Sequence, residues 1–517
     1  MPDRWRSMPV QCAGGLVLNM DSIGQGTNFP GSALILENYE PALEGGYRRI
    51  LGTQKFSASE VPGTAGNPVL GVAVGLGGVI ACRRTNSPND YALYYSSGSG
   101  WTKINPSART NTVTKMRGIY SAIISPAMLI LDGANYAAKW DGTTFTTISA
   151  HAPLGPKYAA VIGSRIALAG HPSDPSELIL SEPNTDVGFH GTNGAASIPC
   201  SDVIVGLKTF RESLYIYCKN SIKKLVGDTS SNFALVDVTN SIGCLSGDTI
   251  QELGGDLLFL APDGIRSTAG TERTNDIELG LVSRAIQPLV RQVLSIGATE
   301  NTYSACVIRN KSQYRLFLNQ PSVASTGQIG FLGKLEQGRV TNGNIEMVWS
   351  SLRGIQPYCA DSSYEAEVEL SVLGSNNSGF VYRLESGNTF DGTPIKYVYR
   401  TPDITFTDTT IRKVMQKLEV QTQVEGDFTV DVRMLIDKGV PEIPSPTAQN
   451  ITQIGALPTY GTAIYGTSLY GQIQFPVFKL NLNGSSFTTA FEFSGNNTNP
   501  PHRIDSFTIV FAPKSYR

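Results

Sequence analysis

Short apolar runs alternate with turn residues along nearly the whole chain, and this pattern predicts consecutive β-hairpins. The first is VLGVAV and VIACRR around Gly75-Leu76-Gly77-Gly78, where two apolar strands flank a glycine turn. The unit recurs with variation at 91–104, 128–148, 158–170, 177–183, 213–227, 256–270, 303–319, 346–352, 367–374 and 379–392. Asp132-Gly133, Asp141-Gly142 and Asp263-Gly264 mark several of its turns. Approximate repetition at tens of residues predicts a β-propeller, in which each small sheet buries its faces against its neighbours. The period is irregular, and six blades are expected.

One stretch has a different period. GLVSRAIQPLVRQVLS (280–295) places Leu281, Ala285, Ile286, Leu289 and Val293 on one face at helical spacing. Pro288 should kink this helix or split it into two turns. The helix reads either as packed on its own blade or as an insertion touching a neighbouring subunit. After residue 400 the strands lengthen, as in 403–437, and alternate like a sandwich sheet with one wet face. A Pro/Gly/Thr/Tyr-rich connector follows at 440–472, with Tyr460, Tyr465 and Tyr470 each followed by glycine. It holds no Lys or Arg, so its rings suit anchoring across a protein surface better than a nucleic-acid groove. Strands return at 475–495 and 503–517. The fold class is therefore all-β: a propeller over 57–400, a β-rich sandwich-like region over 401–517, and an N-terminal arm and docking segment over 1–56.

That segment holds the most informative run, GSALILENYEPALEGGYRRILGTQKF (31–56). A strand, with Ala33 and Ile35 opposite Leu34 and Leu36, enters an Asn-Tyr-Glu-Pro turn. Gly45 and Gly46 permit positive φ, so the chain is expected to turn sharply there. Tyr47, Arg48 and Arg49 follow. These five residues read as a subunit or adaptor contact; the arginines read equally well as a charged edge that discourages strand pairing.

Composition narrows the class. Of 517 residues, 41% are hydrophobic and only 16% charged, with 53 Gly and 29 Pro spread along the chain, which fits many short strands rather than a helical bundle or disorder. The net charge of −2 argues against a protein that grips nucleic acid by its phosphates, although a conduit for DNA should not hold its cargo. Seven dispersed cysteines without a C-x-x-C pair predict reduced, buried side chains rather than a zinc site or disulfide framework. The N-terminus has no signal-peptide apolar core, and the longest apolar run (69–82) is too short and too glycine-broken to span a bilayer. No hydrolase elbow, Walker loop or zinc-protease motif occurs, and the four histidines lack metal-ligand spacing. Glu365, Glu367 and Glu369 alternate on one strand face and read as a solvated edge. No catalytic, metal or cofactor residue is expected, and the chain is expected not to be an enzyme.

Segment 31–56, together with 257–290 (LLFLAPDGIRSTAGTERTND…LVSRAIQPLV) and 379–420 (GFVYRLESGNTFDGTPIKYVYRTPDI…RKVMQKLEV), resembles the tail nozzle proteins of short-tailed bacteriophages, also described as tail tube or packaged-DNA stabilisation proteins. Glu385 stands where that family more usually has aspartate. The resemblance implies a virion protein, assembled in the host cytoplasm, with six copies forming a homohexameric ring below the head-to-tail adaptor. Its implied partners are the adaptor, tail fibre, spike or needle proteins, and double-stranded DNA in transit. It implies no individual functional residue. The competing expectation is a carbohydrate-binding receptor adhesin or spike propeller, against which the four tryptophans count mildly.

Overall fold

The computed structural model describes residues 5–514 except 86–89, 108, 111, 228, 269–280, 296–302, 320–328, 342–343, 366, 407, 440–444 and 454–476. The fold is mostly β, with a six-blade propeller arrangement. Six small antiparallel sheets form the blades: five succeed one another from Val69 to Ser267, and the sixth is built from Pro357–Glu365, Val368–Ser375 and Val381–Leu384. Between the fifth and sixth blades the ring is closed by the first four strands of a larger, nine-stranded sheet (Tyr303–Ile308, Gln313–Leu318, Gly330–Thr341, Asn344–Leu352).

Local chemistry explains the hairpins. Val69–Gly75 and Gly78–Arg84 pair with Gly75 opposite Gly78, and the two linking residues, Leu76 and Gly77, both have positive φ (56° and 77°). That geometry matches the right-handed twist of the flanking strands. In the second blade, Asp132 accepts hydrogen bonds from the amides of Ala134 (3.0 Å) and Asn135 (2.7 Å), so its side chain builds the turn itself. Burial of the same carboxylate opposes its charge, but Arg109 at 2.8 Å, the Tyr91 hydroxyl and the two amides together outweigh that and hold its pKa down.

The cores lie between blades, not inside them. Leu70, Ile80 and Leu93 of the first blade pack with Met128, Ile130 and Trp140 of the second. Leu178 and Leu180 of the third meet Leu214 and Ile216 of the fourth. Val372 and Val381 of the last blade close back on Val72 and Val79 of the first. All seven cysteines are buried and free, and burial pushes the thiols of Cys12, Cys244 and Cys306 up to about 12.

The N-terminal segment departs from expectation. It reads as an arm in the sequence, yet the structure weaves it into three sheets. β1 (Arg6–Gln11) pairs with His502–Pro513. β2 (Ile35–Glu37) lies inside the nine-stranded sheet, antiparallel to Ile395–Arg400 and parallel to Asn344–Leu352 at Glu37. β3 (Tyr39–Pro41) and β4 (Tyr47–Arg49) form a hairpin on the edge of a seven-stranded sheet. β5 (Thr53–Lys55) then becomes the outer strand of the last blade, beside Val381–Leu384. The physical reason is burial: Ala33, Leu36, Tyr39 and Tyr47 are all fully buried apolar or aromatic groups, which an unattached arm would expose.

The boundary expected near residue 400 is crossed as well. The nine-stranded sheet continues from the propeller through β2 to Ile395–Arg400, Thr489–Asn497, Phe428–Ile436 and Gln449–Gln453. Its far half faces the seven-stranded sheet as a sandwich, with Phe507 against Phe491 and Phe493 at ring distances of 5.8 and 5.9 Å. The long strands alternate as expected: Phe428, Val430, Val432 and Met434 point inward, while Asp431 and Arg433 are exposed.

The helical stretch begins as a 3₁₀ turn, Arg284–Ile286, and becomes an α-helix at Gln287–Leu294. Pro288 therefore occupies the first helical turn, where its missing N–H is no loss, rather than a mid-helix kink. Ile286, Val290 and Val293 are buried in the main core, so this apolar face is used within the chain.

Candidate functional site

The run singled out in the sequence folds into a joint. Gly45 and Gly46 have φ of 95° and 77°, and the Ala42 amide donates to the Gly46 carbonyl at 3.0 Å. A Cβ on Gly46 would stand 2.6 Å from the Ile504 carbonyl oxygen, whereas one on Gly45 would meet only the end of Gln11 at 3.8 Å. Gly46 thus lets β4 lie against the strand His502–Pro513.

Two of the three residues that follow are not available for docking. The Tyr47 hydroxyl accepts from the Gly15 amide at 2.9 Å and donates to the Gly31 carbonyl at 3.0 Å, and its ring meets Tyr399 at 4.8 Å. Arg49 is fully buried over the Tyr397 ring, donating to backbone carbonyls including those of Asn388 (3.4 Å) and Asn499. Expected at a subunit or adaptor contact, Tyr47 and Arg49 are fully buried within this chain and bonded to its own backbone carbonyls. Arg48 alone of the trio stays partly open, bidentate to Glu425 at 2.8 and 3.0 Å. Tyr460, Tyr465 and Tyr470 lie outside the described residues.

Arg48 also reaches Glu40 at 3.3 Å, and Glu40 is the hub of the joint. Its carboxylate is buried and receives Lys311 at 2.7 Å, Gln313 at 2.9 Å and Arg315 at 3.4 Å. Lys311 and Arg315 both continue to Glu385 of the last blade. Burial alone would raise the Glu385 pKa, but Arg315 and Lys311 outweigh it and hold it below the ordinary range. One network thus ties the N-terminal hairpin, the sheet of the ring closure, the last blade and, through Glu425, the sandwich. Sequence reading singled out Arg48 but not Glu40, because Glu40 was read as a turn residue before Pro41. A buried carboxylate within reach of several cations from distant segments has no local signal.

A second feature lies on the propeller axis. A cavity of about 430 Å³ is walled by the inner strands, and Lys115, Arg117, Lys208, Asp248, Arg309 and Asp361 are its charged lining. At one end, Asp248 takes Arg117 at 2.6 and 2.8 Å and Lys115 at 2.8 Å, while Lys115 also donates to the Tyr303 carbonyl at 3.0 Å. Burial opposes the Asp248 charge, and the two cations reverse that and hold its carboxyl well below the usual range. Sequence reading missed these residues because Asp248 precedes the fifth blade while Lys115 and Arg117 open the second.

His151 and His190 rings meet at 4.3 Å, and His171 reaches Glu177 at 3.0 Å. Among the described residues no group of three or more His, Cys, Asp or Glu could hold a metal ion.

No protein-family model and no curated protein matches the chain. Among solved structures, the computationally designed Ika8 protein is similar at 8% identity, with 64% of this chain and 99% of that one covered and a TM-score of 0.35. An exo-beta-1,3-galactanase from Phanerochaete chrysosporium follows at 11% identity, 89% and 100% coverage and a TM-score of 0.28. The extracellular domain of BT4673 from B. thetaiotaomicron shares 11% identity, with 73% of this chain and 43% of that one covered and a TM-score of 0.37.

Proposed function

We propose that this chain is a virion structural protein, one of six copies in a tail nozzle ring below the head-to-tail adaptor. In that role it retains packaged DNA, provides the channel for ejection and carries fibres, spikes or a needle. The reading starts from the resemblance of segments 31–56, 257–290 and 379–420 to that family. One observation supports it most. Those three segments, distant in sequence, form one frame: β2 pairs with Ile395–Arg400, β5 pairs with Val381–Leu384, and the Val282 carbonyl accepts from the Trp349 indole at 3.0 Å beside them. A ring that holds pressurised DNA has to transmit force between its parts, and a ladder of backbone hydrogen bonds across both bodies does so without a hinge.

The DNA contact proposed is transient and non-specific. The net charge of −2 suits a wall that exchanges few counterions with the duplex. Electron microscopy of the particle carrying this chain tests the reading: a sixfold ring under the adaptor is expected. A dimer or trimer in the finished particle overturns it, and a position at a fibre tip supports the carbohydrate-binding adhesin instead.

A further inference from the structure

We propose that the axial cavity of the propeller binds a small free anion of phosphate or carboxylate chemistry, held at its open end by Lys208. This goes beyond the ring and does not depend on it.

The lining decides the sign of the ligand. In the lining itself four cations, Lys115, Arg117, Lys208 and Arg309, meet two carboxylates, Asp248 and Asp361; Glu252 and Glu369 act on Lys208 and Arg309 from just outside it. The charges lie at two heights. Lys115, Arg117 and Asp248 neutralise one another near Tyr303, which begins the inner strand Tyr303–Ile308. They close that end and are already satisfied. Arg309 follows the last residue of the same strand, so it marks the other end of the cavity. It leans on the Ser362 carbonyl at 3.4 Å and on Glu369 at 3.9 Å, and its side chain stays 37% exposed, which leaves donors free at the mouth.

Lys208, half-buried on Ile204–Phe210, is the group without a partner. Among the described residues it makes no hydrogen bond and no ion pair, although three donors sit on its ammonium. Asp361 and Glu252 attract it from a distance and neither pairs with it; the Asp361 carboxylate is engaged by the Val74 amide at 2.8 Å. Burial lowers the Lys208 pKa and raises that of Asp361, so the site disfavours the charge on both and would gain by admitting a counter-charge to the lysine. A second polar group in the wall is also unsatisfied. The Ser304 hydroxyl is buried, lacks any hydrogen-bond partner and belongs to the same lining. A cavity of about 430 Å³ fits a small organic or inorganic anion and excludes a nucleic-acid duplex, whose diameter exceeds the whole space.

Calorimetric titration of the full chain at constant ionic strength tests this, with inorganic phosphate in one arm and succinate in the other. Saturable binding of at least one anion is expected, and the arm that binds tells phosphate from carboxylate. Lys208→Met should weaken it about tenfold or more, the loss of one charge-assisted contact, and Lys208→Arg should restore part of it. Lys224→Met, on the outer part of the fourth blade, should leave it unchanged. No saturable binding of either anion overturns the proposal, as does equal binding by Lys208→Met. Should Lys208→Met fail to fold, selenate diffused into crystals of the wild-type chain decides: an anomalous peak beside Lys208 supports the site, and its absence there overturns it.

Discussion

Gly45 and Gly46 look equivalent in the sequence, and both adopt positive φ, yet the structure separates them. At Gly46 any Cβ meets the backbone of the neighbouring strand, which cannot yield as a flexible side chain would. Gly46→Ala should therefore cost more stability than Gly45→Ala, by about 1 kcal/mol or more beyond the left-handed strain common to both. Urea unfolding of the two full-length variants measures the difference, and equal midpoints would contradict it. His502 carries a second prediction. It is buried among Tyr39, Tyr397 and Phe428, with its Nε2 at 2.8 Å from the Tyr39 hydroxyl. Burial first, then Arg49 and Arg48, push its pKa from 6.5 down to about 3. The unfolded chain binds the proton that the folded one refuses, so this contribution is full above about pH 6.5 and is lost as pH falls toward 3. The slope is about 1.4 kcal/mol per pH unit for one proton. His502→Gln should remove close to one proton from the measured slope between pH 6 and 4; an unchanged slope would refute the assignment. Neither role was legible beforehand. His502 follows Pro500-Pro501 in a stretch that reads as a strand stop, and only partners hundreds of residues away make it a core residue.

Elements divide into those readable locally and those that are not. The hairpins were legible because their determinants are adjacent: Gly75-Leu76-Gly77-Gly78, and Asp132 beside the amides that it caps. Long-strand alternation after residue 400 was legible for the same reason, since period two is a property of neighbouring residues. The N-terminal strands were not. Ile35–Glu37 reads as an amphipathic strand, but nothing nearby says that it will sit between Asn344–Leu352 and Ile395–Arg400. Likewise Thr53–Lys55 is three residues long and gains its place only as the edge partner of Val381–Leu384. This has a consequence for truncation. A chain beginning at residue 57 would lose β2 from inside the nine-stranded sheet and β5 from the last blade. Backbone groups on both flanks of β2 would lose partners, and Tyr397, Tyr399 and Trp349 would lose packing. Such a chain should show no cooperative thermal transition by near-ultraviolet circular dichroism. A sharp transition near that of the full chain would mean that the propeller closes without its N-terminal strand.

At the scale of the whole molecule the question is whether the propeller and the sandwich behave as two bodies or one. The longer alternating strands after residue 400 suggest two. The nine-stranded sheet argues for one, because its hydrogen-bond ladder runs from Tyr303–Ile308 to Gln449–Gln453 without a break, and the main core includes Leu258 of the fifth blade together with Phe491 and Phe507 of the sandwich. The Glu40 network adds polar coupling across the same junction. Calorimetry of the full chain should therefore show a single unfolding transition, and two separated peaks would sink the single-body reading. Glu40→Ala attacks the junction from the polar side. It leaves Arg315, whose side chain is 1% exposed, with Glu385 as its remaining carboxylate, and removes the link from Arg48 to Lys311. Removing one partner from a buried ionic network costs about 3–5 kcal/mol, because the remaining charges stay buried. Glu425→Ala, at the half-exposed end of the same network, should cost less than about 1 kcal/mol, since water replaces it. If the network is a joint rather than an ornament of one blade, Glu40→Ala should also broaden or split the calorimetric transition, while Glu425→Ala leaves it sharp. A lowered but still single, sharp peak for Glu40→Ala would assign the coupling to the shared sheet alone.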